Sequence, residues 1–190
     1  MAQAMELIGR GVVAGVAGSG VMAAFQKLIE MPITGREASY QPAKLAKKVL
    51  PVHPEDDKDW TRLNYAAHFT LGAMWGAAYG VAASKGLRGT RAVARVFPTI
   101  YMNDVVVSTS LGLTKPWKWS RQGLIVDVVD KFVQVVATSF IFDHFLDPTD
   151  RNEPTAQRSN LPEQRIRRPD SRTSQFEEEI GRLERRHLSN

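Results

Sequence analysis

The chain has 190 residues, of which 24% are charged and 43% hydrophobic, and its formal net charge is +5 at neutral pH. This length suits one domain, and the lack of cysteine excludes disulfides, thiolate metal sites and cysteine nucleophiles. The positive charge is compatible with nucleic acid, but because long apolar segments are present we expect anionic lipid headgroups as partners and no nucleic acid. The apolar segments all lie within the first 146 residues, and the last 44 are almost wholly polar.

The first apolar segment is rich in small residues. Residues 11–25 carry no charge, and Gly11, Gly15 and Ser19 recur at every fourth position. At this spacing small residues share one side of a helix and let a neighbouring backbone approach closely. Residues 11–31 would form about 31 Å of helix, enough to cross a bilayer core. The alternative is a cleaved signal peptide. It is disfavoured because an acid precedes the apolar stretch and no A-x-A cleavage site follows it.

A shorter amphipathic pattern follows in the connecting segment. Residues 42–50 place Leu45 and Val49 on one face of a helix and three lysines on the other. This arrangement predicts a short helix that lies flat at the level of the headgroups. Either Asp59 or Thr61 is positioned to cap the helix that comes next.

Residues 63–84 form the most informative stretch of the chain. They carry no formal charge unless His68 is protonated, and glycine recurs at Gly72, Gly76 and Gly80. Glycine weakens an isolated helix in water by about 1 kcal/mol per position. Glycine at this spacing therefore favours a membrane span that is held by close helix packing.

Two further apolar segments, residues 92–113 and 124–146, are interrupted by charges. On insertion scales each central charge costs about 2.5–3.5 kcal/mol. Asp127 and Lys131 are four residues apart, so they can pair on one helix face, and paired or inward-facing charges are tolerated in membranes. The sequence thus predicts an all-α fold, a four-helix transmembrane bundle over residues 1–147, with a soluble four-helix domain as the alternative.

The remainder, residues 148–190, is predicted to be a polar cytoplasmic tail. Its first part is rich in proline and polar residues, which predicts disorder. Residues 174–188 combine a capping pattern with apolar residues at helical spacing, which predicts a short amphipathic helix that docks on lipid or a partner. The residues that we assign to this docking are Arg165, Arg167, Arg168, Phe176, Ile180 and Leu183.

Eight ionisable residues lie at or near membrane depth, namely Glu30, His68, Arg95, Asp104, Asp127, Asp130, Lys131 and His144. Five of them form the candidate polar site. They are Glu30, His68, Asp104, Asp127 and Lys131. Such residues line proton or ion paths and ligand sites, or they pair internally as structural elements, and both interpretations stay open. Since no metal-site spacing and no phosphate-binding, dinucleotide or nucleophile motif occurs, we predict no catalytic residue, metal or cofactor.

The distribution of cations gives a preferred orientation. The turn at residues 85–91 and the tail are both rich in lysine or arginine. Cytoplasmic loops carry an excess of these residues, so we expect both termini in the cytoplasm.

Four short patterns follow one another along the chain. They are Glu30-x-Pro32-xxx-Arg36, His68 eleven residues before Tyr79, Val96-Phe97-Pro98, and Leu111-Gly112-Leu113-Thr114-x-Pro116. In this order they resemble the YagU-like family of small bacterial inner-membrane proteins, over residues 8–147 and not the tail. The resemblance implies an inner-membrane location with four spans, and it implies no reaction.

The leading functional expectation is a structural or accessory membrane protein without enzymatic activity. Its glycine faces would pack against a second copy or a larger membrane complex. The alternative is a proton- or ion-handling protein that uses His68, Asp104 and Asp127, and a weaker one is a membrane enzyme acting on lipid. Acids that converge on one water-accessible cavity would favour transport, whereas scattered and paired acids would favour the structural role.

Overall fold

Helices account for most of residues 2–147, the part of the chain that this computed structural model describes, and no strand occurs among those residues. We label five helices. Helix α1 covers Ala2–Phe25, a π-helical turn at Gln26–Glu30 and a last turn at Met31–Thr34. Helix α2 is Gln41–Val49, α3 is Asp57–Ser84 and α4 is Gly89–Ser110. Helix α5 is Arg121–Ile141, followed by a π-helical turn at Phe142–Leu146. The predicted disordered tail, the helix at residues 174–188 and the docking residues between 165 and 183 lie outside the described residues.

The four long helices, α1, α3, α4 and α5, pack side by side in one ring. Helix α1 contacts α3 and α5, and α4 contacts the same two helices from the other side. Short connections between α3 and α4 and between α4 and α5 make these neighbours antiparallel. The all-helical class is therefore confirmed for the described residues, and the predicted apolar segments fall on the four long helices, except that α4 ends at Ser110, three residues before the predicted end at Leu113.

Membrane crossing by all four long helices stays a prediction. Among residues 2–147, one helix, Ala2–Thr34, is long and apolar enough to cross a bilayer by length and composition. The core helix of a soluble protein or a signal sequence can meet the same criteria.

Helix α1 leaves α-helical geometry directly before Pro32. In an α-helix the ring of Pro32 would clash with the carbonyl of Leu28, four residues earlier. The π-helical turn at Gln26–Glu30 changes the local hydrogen-bond spacing at this point. Gly35 then ends the helix with φ of 67°, a conformation that glycine adopts without steric cost.

The cap of α3 differs from the prediction. The side chain of Asp56 accepts a hydrogen bond from the Asp59 backbone N–H at 2.7 Å, so Asp56 is the N-cap. Asp59 and Thr61 both lie inside the helix, and the prediction that either one caps it was wrong. The helix begins earlier because the first aspartate of the acidic stretch already satisfies a free N–H.

The glycine faces of α1 and α3 lie against each other within the chain. A Cβ atom on Gly15 or on Gly76 would lie 2.7 Å from the other residue's Cα atom. Gly11 lies against Gly76 and Gly80, and Gly72 lies against Gly15. The two backbones are thus in contact, and the side that was expected to meet a partner is occupied inside the same chain.

Helix α2 packs on α3 through alanines. Ala43 and Ala46 are buried, and the Ala43 N–H donates to the Asn64 side chain at 3.2 Å. Val49 is 59% exposed and Leu45 is half-buried, so the close packing on α3 comes from the alanines. Small side chains let α2 approach α3 more closely than leucine or valine would. Its position relative to headgroups stays a prediction.

The glycine contact generates a stability prediction. We expect Gly76→Ala to destabilise the protein by about 1–3 kcal/mol, because its Cβ would meet the α1 backbone, which cannot move without separating the helices. Thermal unfolding in detergent measures this change. The matched control is Gly20→Ala, since a Cβ there would meet nothing within 4 Å. Equal unfolding temperatures for the two variants would refute the contact.

Candidate functional site

A cavity of about 200 Å³ lies between α1, α3, α4 and α5, next to the segment that joins α1 to α2. All five residues of the predicted polar site line it. The ionisable lining residues are Lys27, Glu30, Arg36, Glu37, His68, Asp104, Asp127, Asp130 and Lys131. The structure therefore brings together residues that are far apart in sequence.

Lys131 bridges two helices at the cavity wall. Its Nζ atom lies 2.9 Å from Asp127 Oδ1 on the same helix, which confirms the predicted pair, and 2.7 Å from Asp104 Oδ2 on α4. Tyr101 donates to Asp127 Oδ2 at 3.0 Å, and Lys131 lies over the Tyr101 ring. Two carboxylates thus share one cation.

Glu30 is tied to the end of α1. It is 8% exposed, and its carboxylate accepts from the Thr34 hydroxyl at 2.7 Å. Arg36 Nη1 lies 3.6 Å from the same oxygen. The turn at Gly35 brings Arg36 back toward Glu30, so this carboxylate already has a cation and a neutral donor.

Asp130 has a different environment from Glu30, Asp104 and Asp127, which each pair with a cation. It is 4% exposed, and its Oδ2 atom accepts from Gln26 Nε2 at 2.8 Å. Its Oδ1 atom is buried and has no hydrogen-bond partner among residues 2–147. Gln26 belongs to the π-helical turn of α1, so this contact joins α1 to α5. A buried carboxylate oxygen without a partner is costly unless a ligand or a proton satisfies it.

Polar contacts also border the cavity on the side that faces the glycine contact between α1 and α3. The Ser19 hydroxyl is fully buried and accepts from Gln134 Nε2 at 2.9 Å. His68 Nε2 lies 3.3 Å from the Ser19 carbonyl oxygen. Ser19 thereby connects α1 to both α3 and α5, and His68 has a structural contact as well as a place in the cavity wall.

The cavity adjoins a second cleft at the segment between α1 and α2. The two share residues that lie between them. These are Arg36, Glu37, Ala38, Ser39 and Gln41. Access to the cavity is therefore from the end of the bundle away from the N-terminus of α1.

The charged residues that line the cavity leave it with a net negative charge. The lining has five acids and three cations, which gives a formal charge of −2 when all are ionised. The acids are Glu30, Glu37, Asp104, Asp127 and Asp130, and the cations are Lys27, Arg36 and Lys131. Such a cavity attracts a cation or retains a proton.

A second polar cluster lies at the opposite end of the bundle. Arg10 and Arg88 both pair with Asp147, at 3.1 Å for Arg10. The Tyr79 hydroxyl donates to Asp143 Oδ2 at 2.7 Å. This cluster joins α1, α3, α5 and the turn before α4, which is the structural role expected for charges near segment ends.

The sequence placed Asp130 among the ionisable residues near membrane depth, but the candidate site did not include it, and Gln26 and Gln134 were not considered. A signal for two of them was present, because Asp127, Asp130, Lys131 and Gln134 follow the i, i+3, i+4, i+7 spacing of one helix face. Gln26 had no such signal. Within residues 2–147, no group of three or more His, Asp or Glu side chains is placed to hold a metal ion.

Comparisons with protein-family profiles, with curated proteins and with solved structures found no match to this chain. The resemblance to the YagU-like family, with the inner-membrane location and four spans that it implies, stays a prediction.

The shared cation generates a second prediction. We expect Lys131→Met to destabilise the protein by about 3–5 kcal/mol, because it leaves Asp104 and Asp127 facing each other without a positive charge. Adding Asp104→Asn and Asp127→Asn to the same chain should restore most of the loss. Thermal unfolding in detergent is the measurement, and Lys58→Met, at an exposed site on α3, is the control. A variant as stable as this control would show that the pairing contributes little.

Proposed function

We propose that this protein is an integral membrane protein that binds a small cation in the cavity between its four long helices and moves it toward or across the membrane. The observation that carries the proposal is the convergence of Glu30, Asp104, Asp127 and Asp130 on one negatively charged cavity. The same residues are partly paired, but pairing does not neutralise the cavity.

The surface of the helices supports a membrane environment. Large apolar side chains are exposed on several of them. Examples are Leu28 at 75%, Ile33 at 79%, Met102 at 61% and Ile125 at 61%. The buried residues between the helices include Ser19, Gln134, Thr138 and Ser139. An apolar exterior around a partly polar interior is expected where lipid is the solvent, because extensive apolar surface is unfavourable in water.

The placement of the charges supports the same conclusion for α4 and α5. Their charges reduce the hydropathy of these helices, but Asp104 and Lys131 contact each other instead of facing outward. Charged groups that pair inside a bundle are those that membranes tolerate. Helices with such charges can therefore be spans despite their composition.

An accessory role in a larger assembly or a homo-oligomer is the second candidate. The glycine faces are engaged within the chain, so a partner would contact the outward surface. Helix α5 and its final turn expose three phenylalanines, Phe132, Phe140 and Phe145, between 47% and 68%. These rings favour a protein or lipid contact on that surface.

The first test is location and orientation. We expect the protein to remain in the membrane pellet after alkaline carbonate extraction. A green fluorescent protein fused to the C-terminus should fluoresce, and alkaline phosphatase inserted at Val52 should be active, because the termini and this segment would lie on opposite sides. Recovery of the protein in the supernatant would contradict the proposal.

The second test is flux in liposomes. We expect purified protein to raise proton or cation flux above that of empty liposomes, and Asp130→Asn to reduce it by about tenfold or more, because the variant lacks the free carboxylate oxygen. Glu55→Gln is the matched control, since Glu55 is an exposed acid outside the cavity. Flux equal to that of empty liposomes would overturn the transport proposal.

A further inference from the structure

We infer that the cation is a small organic ammonium ion that donates a hydrogen bond to Oδ1 of Asp130. This inference rests on the proposed function and names the class of substrate for the same cavity.

The first observation is the geometry of Asp130. Gln26 Nε2 donates to Oδ2 at 2.8 Å, while Oδ1 has no accessible surface and no hydrogen-bond partner in the described part of the chain. The residue is 4% exposed and lines the cavity. A small rotation of the carboxylate would turn this unpartnered oxygen toward the cavity, where it matches an N–H donor that carries a positive charge, since such hydrogen bonds are among the strongest in proteins.

The second observation is that the other carboxylates already have partners. Glu30 contacts Arg36 and Thr34. Asp104 and Asp127 share Lys131. Inorganic cations such as Ca²⁺ or Mg²⁺ bind through several oxygens at once, and here that would require breaking these pairs. An alkylammonium group has three N–H donors, of which one would meet the Asp130 carboxylate and the others neutral acceptors such as Asn64 and Ser108 in the cavity wall, so the pairs stay intact.

The third observation is the aromatic part of the cavity wall. Trp75 and Trp119 line the same cavity as Asp130, and so does Tyr65, whose ring already has Lys27 Nζ at 5.2 Å. Aromatic faces attract cations and also pack against short alkyl chains. The cavity volume of about 200 Å³ corresponds to about six water molecules, which is room for an ammonium ion with a few carbons.

The cleft beside the cavity provides access for such a ligand. It contains two acids, Glu37 and Asp57, and two cations, Arg36 and Lys44, so its formal charge is balanced and it does not repel a cation. The negative charge that would attract the ligand lies farther in, in the cavity that Asp130 lines.

The test is a binding measurement on the full-length protein in detergent. Propylammonium, tetramethylammonium, sodium and uncharged 1-propanol are titrated, with tryptophan fluorescence and calorimetry as readouts. We expect saturable binding of propylammonium and at least about tenfold weaker binding of tetramethylammonium, which has no N–H donor. Sodium and 1-propanol should not compete. Asp130→Asn should weaken propylammonium binding by about tenfold or more, while the control Glu55→Gln retains it.

The outcomes separate this inference from the proposed function. Proton or sodium flux in liposomes without propylammonium binding would overturn the ammonium inference and leave cation handling in place. Equal binding of tetramethylammonium and propylammonium to the unaltered protein would overturn the hydrogen bond to Asp130, whether or not the variants fold. Absence of both flux and binding would overturn both proposals.

Discussion

The contact between the backbones of α1 and α3 is the constraint on which the rest of the structure depends. Gly15 and Gly76 leave no space for a side chain between the helices. Close contact of this kind gives dispersion and weak hydrogen bonding over a long interface, and it needs no hydrophobic effect. The cavity begins where these contacts end, because Met22 on α1 and His68 on α3, which line it, are larger than glycine.

The distribution of polarity follows from that arrangement. With α1 and α3 held together, α4 and α5 complete the ring and turn their acids toward the interior. Lys131 then meets Asp104 from α4 as well as Asp127 from its own helix. Asp104, Asp127 and Lys131 are thus engaged within the bundle, whereas Arg91 and Arg95 in the first turns of α4 are exposed.

Convergence and pairing of acids were expected to distinguish transport from a structural role, and the structure shows both. Glu30, Asp104 and Asp127 each have a cation, which is the structural arrangement. Asp130 has a neutral partner at one oxygen and none at the other among the described residues. A chain that needed only stability could have placed an asparagine or a leucine at this position, and this difference favours a ligand or proton site.

The sequence by itself determined the features that depend on neighbours along the chain. Periodicity located the long helices, four-residue spacing identified the glycine faces, and the Asp127–Lys131 pair followed from one helix turn. Local spacing did not identify Asp56 as the N-cap of α3, nor the alanines as the residues through which α2 packs. Tertiary structure alone decided that the glycine faces meet within one chain, that Asp104 joins Lys131, and that Gln26 holds Asp130. These contacts depend on the rotation and register of one helix against another, which packing between distant segments sets.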